Sequence, residues 1–391
     1  MAEPLKAQYG PEVPERIAAM LARAEPAFAS RAFVASALRG YEALELLPRA
    51  RHIARAMHAH LPADFGRALA LVLRSLGPPA DGVTGQGMAP FVYLPHVYWV
   101  AEHGIDHFDA SVAAMHAITQ RMSFEFGIRP FLDRYPEPML EVLRRWAEDP
   151  SPLVRRLVSE GTRPRLPWAP RLRVFGRDPR PVLALLERLR DDPDESVRRS
   201  VANHLNDLGR EDPARLVALC TDWARDAPPQ RLRLVRHALR SLVKAGDPHA
   251  LTVLGYGRRA EVRLRDARIE PARPTVGGTV AIAFELESTG TRRQRVLVDL
   301  RVIDARAPGR PRALGAGAAE ASDEGRVRVF KLTAATLAPG EVLTLRKRLS
   351  LRPMSTRTHH PGRHAVEALV NGVPIPVGRF ELVAGSPQTG A

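Results

Sequence analysis

The sequence predicts two folds in tandem: an all-α repeat solenoid over residues 1–256 and an all-β sandwich over 258–384, with a disordered tail at 385–391. Three observations predict this. Apolar residues recur at three- and four-residue spacing up to about residue 255, the period of an amphipathic helix. Two of these stretches repeat the same words at a fixed offset. Beyond Gly257 the pattern changes to alternation and short β-branched runs divided by turn residues, the mark of short strands.

The helical stretches come first. PERIAAMLARA, SRAFVASALRGYEAL, ARHIARAMHAHL and DFGRALALVLRSL each carry one apolar face. DPSPLVRRLVSEG opens at Asp149 and DPDESVRRSVANHLNDLG at Asp192, with Asp-Pro, Val and Arg-Arg recurring 43 residues apart. QRLRLVRHALRSLVKAGDP is a looser third copy, its Val235 standing 38 residues after Val197. Periods near 40 built of paired helices are typical of HEAT-like solenoids, where each pair buries its apolar face only by stacking on its neighbours. Such a stack leaves a concave surface suited to a rod-like partner. An irregular helical domain with chance look-alikes is the competing reading.

The strands follow. EVRLRDARIE, GGTVAIAFELES, RRQRVLVDLRVID, GRVRVFKLTAATL, EVLTLRKRLSL, GRHAVEALV and VGRFELV are separated by turns such as PTVGG, LAPG and NG. Short strands at this spacing suggest an immunoglobulin-like sandwich. Residues 305–326 are too rich in small side chains to pack and read as a long loop bearing Arg306, Arg310 and Arg312. The GYG at 255–257 reads as a hinge.

Composition bounds the function. Hydrophobic residues make up 45% of the chain, as in ordinary globular proteins. A single cysteine, Cys220, excludes a disulfide framework and suits a reducing cytoplasm. No basic-then-apolar leader and no run of ~18 apolar residues is present, so a cytoplasmic protein without membrane association is expected. The net charge is +15, of which residues 258–391 hold +10, with 23 basic and 13 acidic side chains. That favours a polyanionic partner; an arginine-rich composition is the bland alternative.

One short stretch, VSEGTRPRLPW at 158–168, crowds an acid, two arginines and a tryptophan around a helix end. Ser151 can cap that helix and Pro152 suits its first turn. Leu153, Val154, Leu157 and Val158 form the apolar stripe, which turns Arg155, Arg156, Ser159 and Glu160 away from the core. Arg156 and Glu160, four apart, can touch. Gly161 is expected to end the helix, and Pro164 and Pro167 then hold Arg163, Arg165 and Trp168. In the next copy Arg199, Asn203 and Asp207 follow at four-residue steps, opposite a core of Val197, Val201, Leu205 and Leu208. One repeat earlier, MSFEFG sets Glu125 between two phenylalanines, where it either faces the concave wall or has a raised pKa. An exposed ion pair and a packing tryptophan remain the plain alternative.

His103 and His107 have i,i+4 spacing but lie in no HExxH, and THHPGRH has no acidic or cysteine partner nearby. Neither predicts a metal site. No P-loop or Rossmann glycine pattern occurs, so no cofactor is expected. Cys220 reads as a packing residue.

LPHVYWVAEHGIDHFD, ITQRMSFEFGIRPFL, VRRLVSEGTRPRLPWAPRL and VRRSVANHLNDLGREDP, with the opening MAEPLKAQYGPEV, closely resemble the AlkC branch of bacterial alkylpurine DNA glycosylases over residues 1–255. Some members of that branch carry an added immunoglobulin-like domain. The resemblance implies hydrolysis of the N-glycosidic bond of cationic alkylated bases, chiefly N3-methyladenine in duplex DNA, without base extrusion. It also implies that Glu125, Glu160 and Asp207 are active-site carboxylates and Trp168 the active-site aromatic. Glu160 is the expected principal acid. Arg155, Arg156, Arg163, Arg165, Arg199, Arg240 and Lys244 are candidate phosphate ligands, and the 305–326 arginines a second DNA contact. The expected partner is alkylated double-stranded DNA, with no obligate protein partner. A non-catalytic repeat scaffold that binds DNA or a protein is the alternative, against which the three acids speak: carboxylates repel phosphates.

Overall fold

The computed structural model describes residues 5–80, 87–175, 178–257, 259–305, 326–353 and 359–384. The packing separates into two units, Met1–Asp212 with Arg225–Ala238, and Pro213–Ala224 with Leu239–Ala391.

The first unit is helical: α1 (Glu12–Ala24), α2 (Ser30–Leu38), α3 (Leu46–His60), α4 (Phe65–Ser75), α5 (Leu94–His103), α6 (Phe108–Thr119), α7 (Ile128–Arg134), α8 (Pro136–Trp146), α9 (Pro152–Gly161), α10 (Arg180–Leu189) and α11 (Glu195–Leu208). After α12 (Pro213–Ala224), which belongs to the second unit, α13 (Pro229–Ala238) completes it. The loose third copy is not one helix. It breaks at Leu239 into α13 and α14 (Arg240–Ala245). Helices α9 and α11 are consecutive repeat positions and pack on each other, with α10 between them in sequence. Val154, Leu157 and Val158 on α9 and Val197, Val201 and Leu205 on α11 are buried, as the apolar spacing predicts.

The repeat extends to hydrogen bonds. Asp149 Oδ1 accepts from the Ser151 amide at 2.8 Å, and Asp192 Oδ1 from the Asp194 amide at 2.9 Å. Arg155 Nη1 donates to the carbonyls of Asp149 and Pro150, and Arg198 Nη1 to those of Asp192 and Pro193. Ser151 therefore does not cap α9 with its side chain; Asp149, at the head of the motif, satisfies the turn instead.

In the second unit α14 and α15 (Pro248–Val253) precede seven antiparallel strands: β1 (Val262–Glu270), β2 (Thr279–Ser288), β3 (Gln294–Ile303), β4 (Val327–Leu337), β5 (Val342–Ser350), β6 (Gly362–Val370) and β7 (Val373–Leu382). They form a three-stranded sheet, β1-β2-β5, and a four-stranded sheet, β4-β3-β6-β7. Val280, Ile282, Phe284 and Leu286 of β2 and Val296, Val298, Leu300 and Val302 of β3 share one buried core. β3 is buried on its other face too, because Leu297 packs with Leu251 and Tyr256. That accounts for its unbroken burial from Val296 to Leu300, Asp299 included, where burial along β2 alternates. The Asn371-Gly372 turn joins β6 to β7 with both residues at positive φ, 49° and 79°, the conformation a two-residue hairpin demands. A side chain at Gly372 would also strike Leu251.

Residues 306–325, with Arg306, Arg310 and Arg312, and the tail 385–391 lie outside the described residues. Among those described, no helix is long and apolar enough to cross a membrane. Cys220 is buried, and burial pushes its thiol up to about 12, so it has no thiolate to offer at neutral pH. His103 stacks on His58 and His107 on Phe65.

Candidate active site

A cleft of about 370 Å³ opens on the first unit. Its lining includes Glu125, Phe126, Leu153, Arg156, Glu160, Pro167 and Trp168. Three separate segments deliver them. Glu125 sits on the turn between α6 and α7, with Phe124 driven fully into the core beneath it. Arg156 and Glu160 project from α9, and Trp168 from the proline-bound loop after it.

The Glu160 side chain is not on a solvated face. The residue is 5% exposed, and Ser159 beside it is fully buried. The expected outward face of α9 is pressed against α11, and the residues that meet it there are polar. Ser200 Oγ donates to Glu160 Oε2 at 2.6 Å, and His204 Nδ1 lies 3.1 Å from the Ser159 carbonyl. That carbonyl can only accept, so Nδ1 carries the proton; burial lowers the His204 pKa to about 3, so the ring stays neutral. Asp207, one turn further, accepts from Arg163 Nε at 2.9 Å. Ser200, His204 and Asp207 thus form a buried polar stripe one step round from the Arg199, Asn203, Asp207 face that the spacing suggested. Asn203 bonds to His237 instead.

Two arginines complete the setting of Glu160. Arg163 Nη1 donates to Oε1 at 2.6 Å, and Arg156 Nη2 stands 3.7 Å from Oε2 while its Nη1 donates to Glu125 Oε2 at 3.1 Å. Ser123 Oγ also donates to Glu125, at 2.7 Å. Burial pushes the Glu160 carboxyl up, but the charges of Arg156 and Arg163 and the hydrogen bonds from Ser200 and Arg163 outweigh it. Its pKa lies below the ordinary carboxylate value. For Asp207 burial wins over Arg163, and the pKa is raised. Asp207 does not line the cleft; it stands behind Arg163.

Gly161 is the last residue of α9 and Thr162 the cap, at φ −91°. The glycine serves packing: a Cβ there would come within 2.7 Å of Ile128 on α7. The loop beyond is closed by the Leu172 amide bonding to the Pro164 carbonyl. Trp168 stands near its tip, 56% exposed, in the left-handed region at φ 65°. Arg129 of α7 clamps this loop from inside, donating to the carbonyls of Arg163 at 2.9 Å and Pro170 at 2.5 Å.

Of the predicted basic residues, Arg156 reaches the cleft. Arg163 is buried between Glu160 and Asp207, and Arg155 forks onto Asp192; both are spent inside the fold rather than held out for phosphate. Arg165 pairs with Glu211 on the surface. Arg199 is exposed and lines a groove with Arg198, Arg233 and His237. Arg240 and Lys244 belong to the second unit. Ser200, His204, Ser123 and Arg129 are the participants that sequence reasoning missed. The first two carried a signal, polar residues at i and i+4 on an amphipathic helix.

Fold and cleft together define a helical-repeat protein with a buried carboxylate and a cleft at one helix end. Residues 122–238 match the family described as DNA alkylation repair enzyme, and residues 317–384 match the C-terminal Ig-like domain of the uncharacterised protein YhaZ. The chain belongs to the AlkC family. It resembles the alkylpurine DNA glycosylase AlkC of Pseudomonas fluorescens, solved bound to DNA containing an abasic site analog, at 34% identity and a TM-score of 0.88, over 98% of this chain and 100% of that one. The uncharacterized protein YhaZ of Bacillus subtilis (strain 168) is 30% identical over 335 residues, 86% of this chain and 87% of its own.

Proposed function

We propose that this chain is a monofunctional DNA glycosylase that hydrolyses the N-glycosidic bond of cationic N3-alkylated bases, chiefly N3-methyladenine, in duplex DNA. The observation that carries the reading is Glu160: a carboxylate kept ionised in a nearly dry setting, at a cleft edged by an exposed tryptophan on a clamped loop. An alkylated base already bears positive charge, so it departs without a general acid. As the C1′–N bond breaks, its electron pair goes to the base, which leaves neutral, and positive charge develops on the deoxyribose. A fixed carboxylate stabilises that charge, and more strongly for being desolvated. Water then bonds to C1′ and gives up its proton to Glu125, Glu160 or solvent. Among the described lining residues there is no lysine, which supports water rather than an amine as nucleophile.

Trp168 offers its π face to the cationic sugar or lesion. It stands 56% exposed at the edge of the cleft, and the reading keeps the base in the stack, unlike the extruding glycosylases. Arg156, Arg165 and Arg199 are the phosphate ligands best supported, with Arg240, Lys244, Arg306, Arg310 and Arg312 as further candidates. Arg155 and Arg163 are read as scaffolding. Asp207 acts on Glu160 through Arg163.

The test is release of free base from duplex DNA treated with a methylating agent. The wild-type protein is expected to release N3-methyladenine and leave alkali-labile abasic sites. Glu160→Gln is expected to lose on the order of 10²–10³ in turnover while still binding DNA. A wild-type protein that binds the duplex but frees no base is a scaffold, and the reading fails.

A further inference from the structure

We propose that Arg129 is a positioning residue for Trp168: its guanidinium spans the neck of the 163–172 loop and sets where the cleft's aromatic ring stands. The inference rests on the reading of the cleft as a glycosylase site.

Three observations carry it. First, the two carbonyls that Arg129 binds, those of Arg163 and Pro170, lie one on each side of Trp168 in sequence. Second, the loop's own closures are sparse: Leu172 to Pro164 and Ala169 to Leu166, both at 3.2 Å, while the Trp168 ring is exposed and its backbone held at φ 65°. A bulky residue resists that conformation, so the surroundings must impose it. Third, Arg129 is a cation buried to 6% exposure, and among the described residues its hydrogen bonds go to two neutral carbonyls. Burial lowers its pKa from the ordinary arginine value; Asp133 opposes that and the nearby Arg163 adds to it. A buried charge beside a like charge is costly. Only a planar fork reaches two acceptors in fixed directions at once; a lysine would serve one of them as a point donor.

The clamp also meets the carboxylate network at one residue. The Arg163 carbonyl is held by Arg129 while the Arg163 side chain holds Glu160 and Asp207. Acid and ring are thereby registered against one another across the helix end.

The test has two arms, on Arg129→Gln and on Arg129→Lys, the second retaining the charge should the first fail to fold. In the spectroscopic arm, the Trp168 part of the emission is obtained by subtracting the matching Trp168→Phe protein. Its anisotropy is expected to fall in both Arg129 variants, with melting and circular dichroism confirming the fold. In the kinetic arm, single-turnover base release is compared in a double-mutant cycle with Trp168→Ala. Each single change is expected to slow release by on the order of 10- to 100-fold, and the double variant to be no slower than Trp168→Ala. Unchanged anisotropy, or effects that multiply in the double variant, overturns the proposal. If the wild-type protein releases no base, the glycosylase reading falls, and the anisotropy arm still decides the role of Arg129.

Discussion

Helices α9 and α11 begin from the same sequence words and end in different chemistry. Both use their leading aspartate to close the entering turn, and both use the first arginine of the pair to bind the carbonyls of that turn. Their valines fill equivalent places in the core. The copies part company one turn later. Where α11 has Ser200, Asn203 and His204, α9 has Leu157, Glu160 and Gly161. Each departure is used: Gly161 lets α9 close on Ile128, Glu160 takes the charge, and Ser200 and His204 supply the polar wall that receives it. In a repeat protein the shared residues build the stack, and a site is found where one copy departs from its neighbour.

Breaking the joint between the copies has the largest expected effect. Arg163→Met removes the cation between two buried carboxylates and leaves Glu160 and Asp207 without it. Removing one partner of a buried pair costs about 3–5 kcal/mol, here at Asp207 above all, since Glu160 keeps Arg156 and Ser200. The expected outcome is a chain marginal at 37 °C, read as a large fall in the urea midpoint. If stability is unchanged, Arg163 is not the keystone its bonds suggest.

A smaller break gives the comparison a pH axis. Ser200→Ala deletes the hydroxyl bond to a charged oxygen, worth about 1.5–3 kcal/mol. The folded pKa of Glu160 is depressed, so its contribution to stability is full above the ordinary carboxylate range and is lost as pH falls through the folded value. Without Ser200 that folded value rises, and the loss should begin at a higher pH. Asp207 runs the other way, since burial raises its pKa and the fold gains from protonating it. Urea midpoints of wild type and variant between neutral pH and pH 3 should therefore converge at the acid end. Curves that stay parallel would mean that Ser200 does not act through Glu160.

Much of this is legible in the sequence. Seven strands, the Asn371-Gly372 hairpin and the repeat from Asp149 to Asp192 follow from period and turn chemistry, which are local. The convergence of Glu125, Glu160 and Trp168 on one cleft agrees with the resemblance. The handling of the arginines was not legible. Arg163 looks like a surface cation because a proline follows it and the helix has just ended; its burial depends on Asp207, which reaches it from the next copy. Arg129 left no trace at all, because its acceptors are backbone carbonyls and any residue supplies one. The Arg199 and Asn203 face and the observed Ser200 and His204 stripe differ by a rotation of one residue. On a helix that is 100°, enough to exchange the solvent side for the interface.

The finest cut compares Glu160 with its own counterpart. Asn203 occupies the equivalent place on α11, but its side chain accepts from His237 Nε2 at 2.9 Å in a half-buried setting. It meets neither the cleft nor Glu160. Asn203→Ala should cost about 0.5–1.5 kcal/mol, the net worth of one ordinary hydrogen bond, and leave base release from methylated DNA at the wild-type rate. The same truncation at Glu160 should abolish release. A large catalytic loss at Asn203 would mean that the two copies share the chemistry as well as the scaffold, and that the working surface extends past α9 along the groove that holds Arg199 and Arg233.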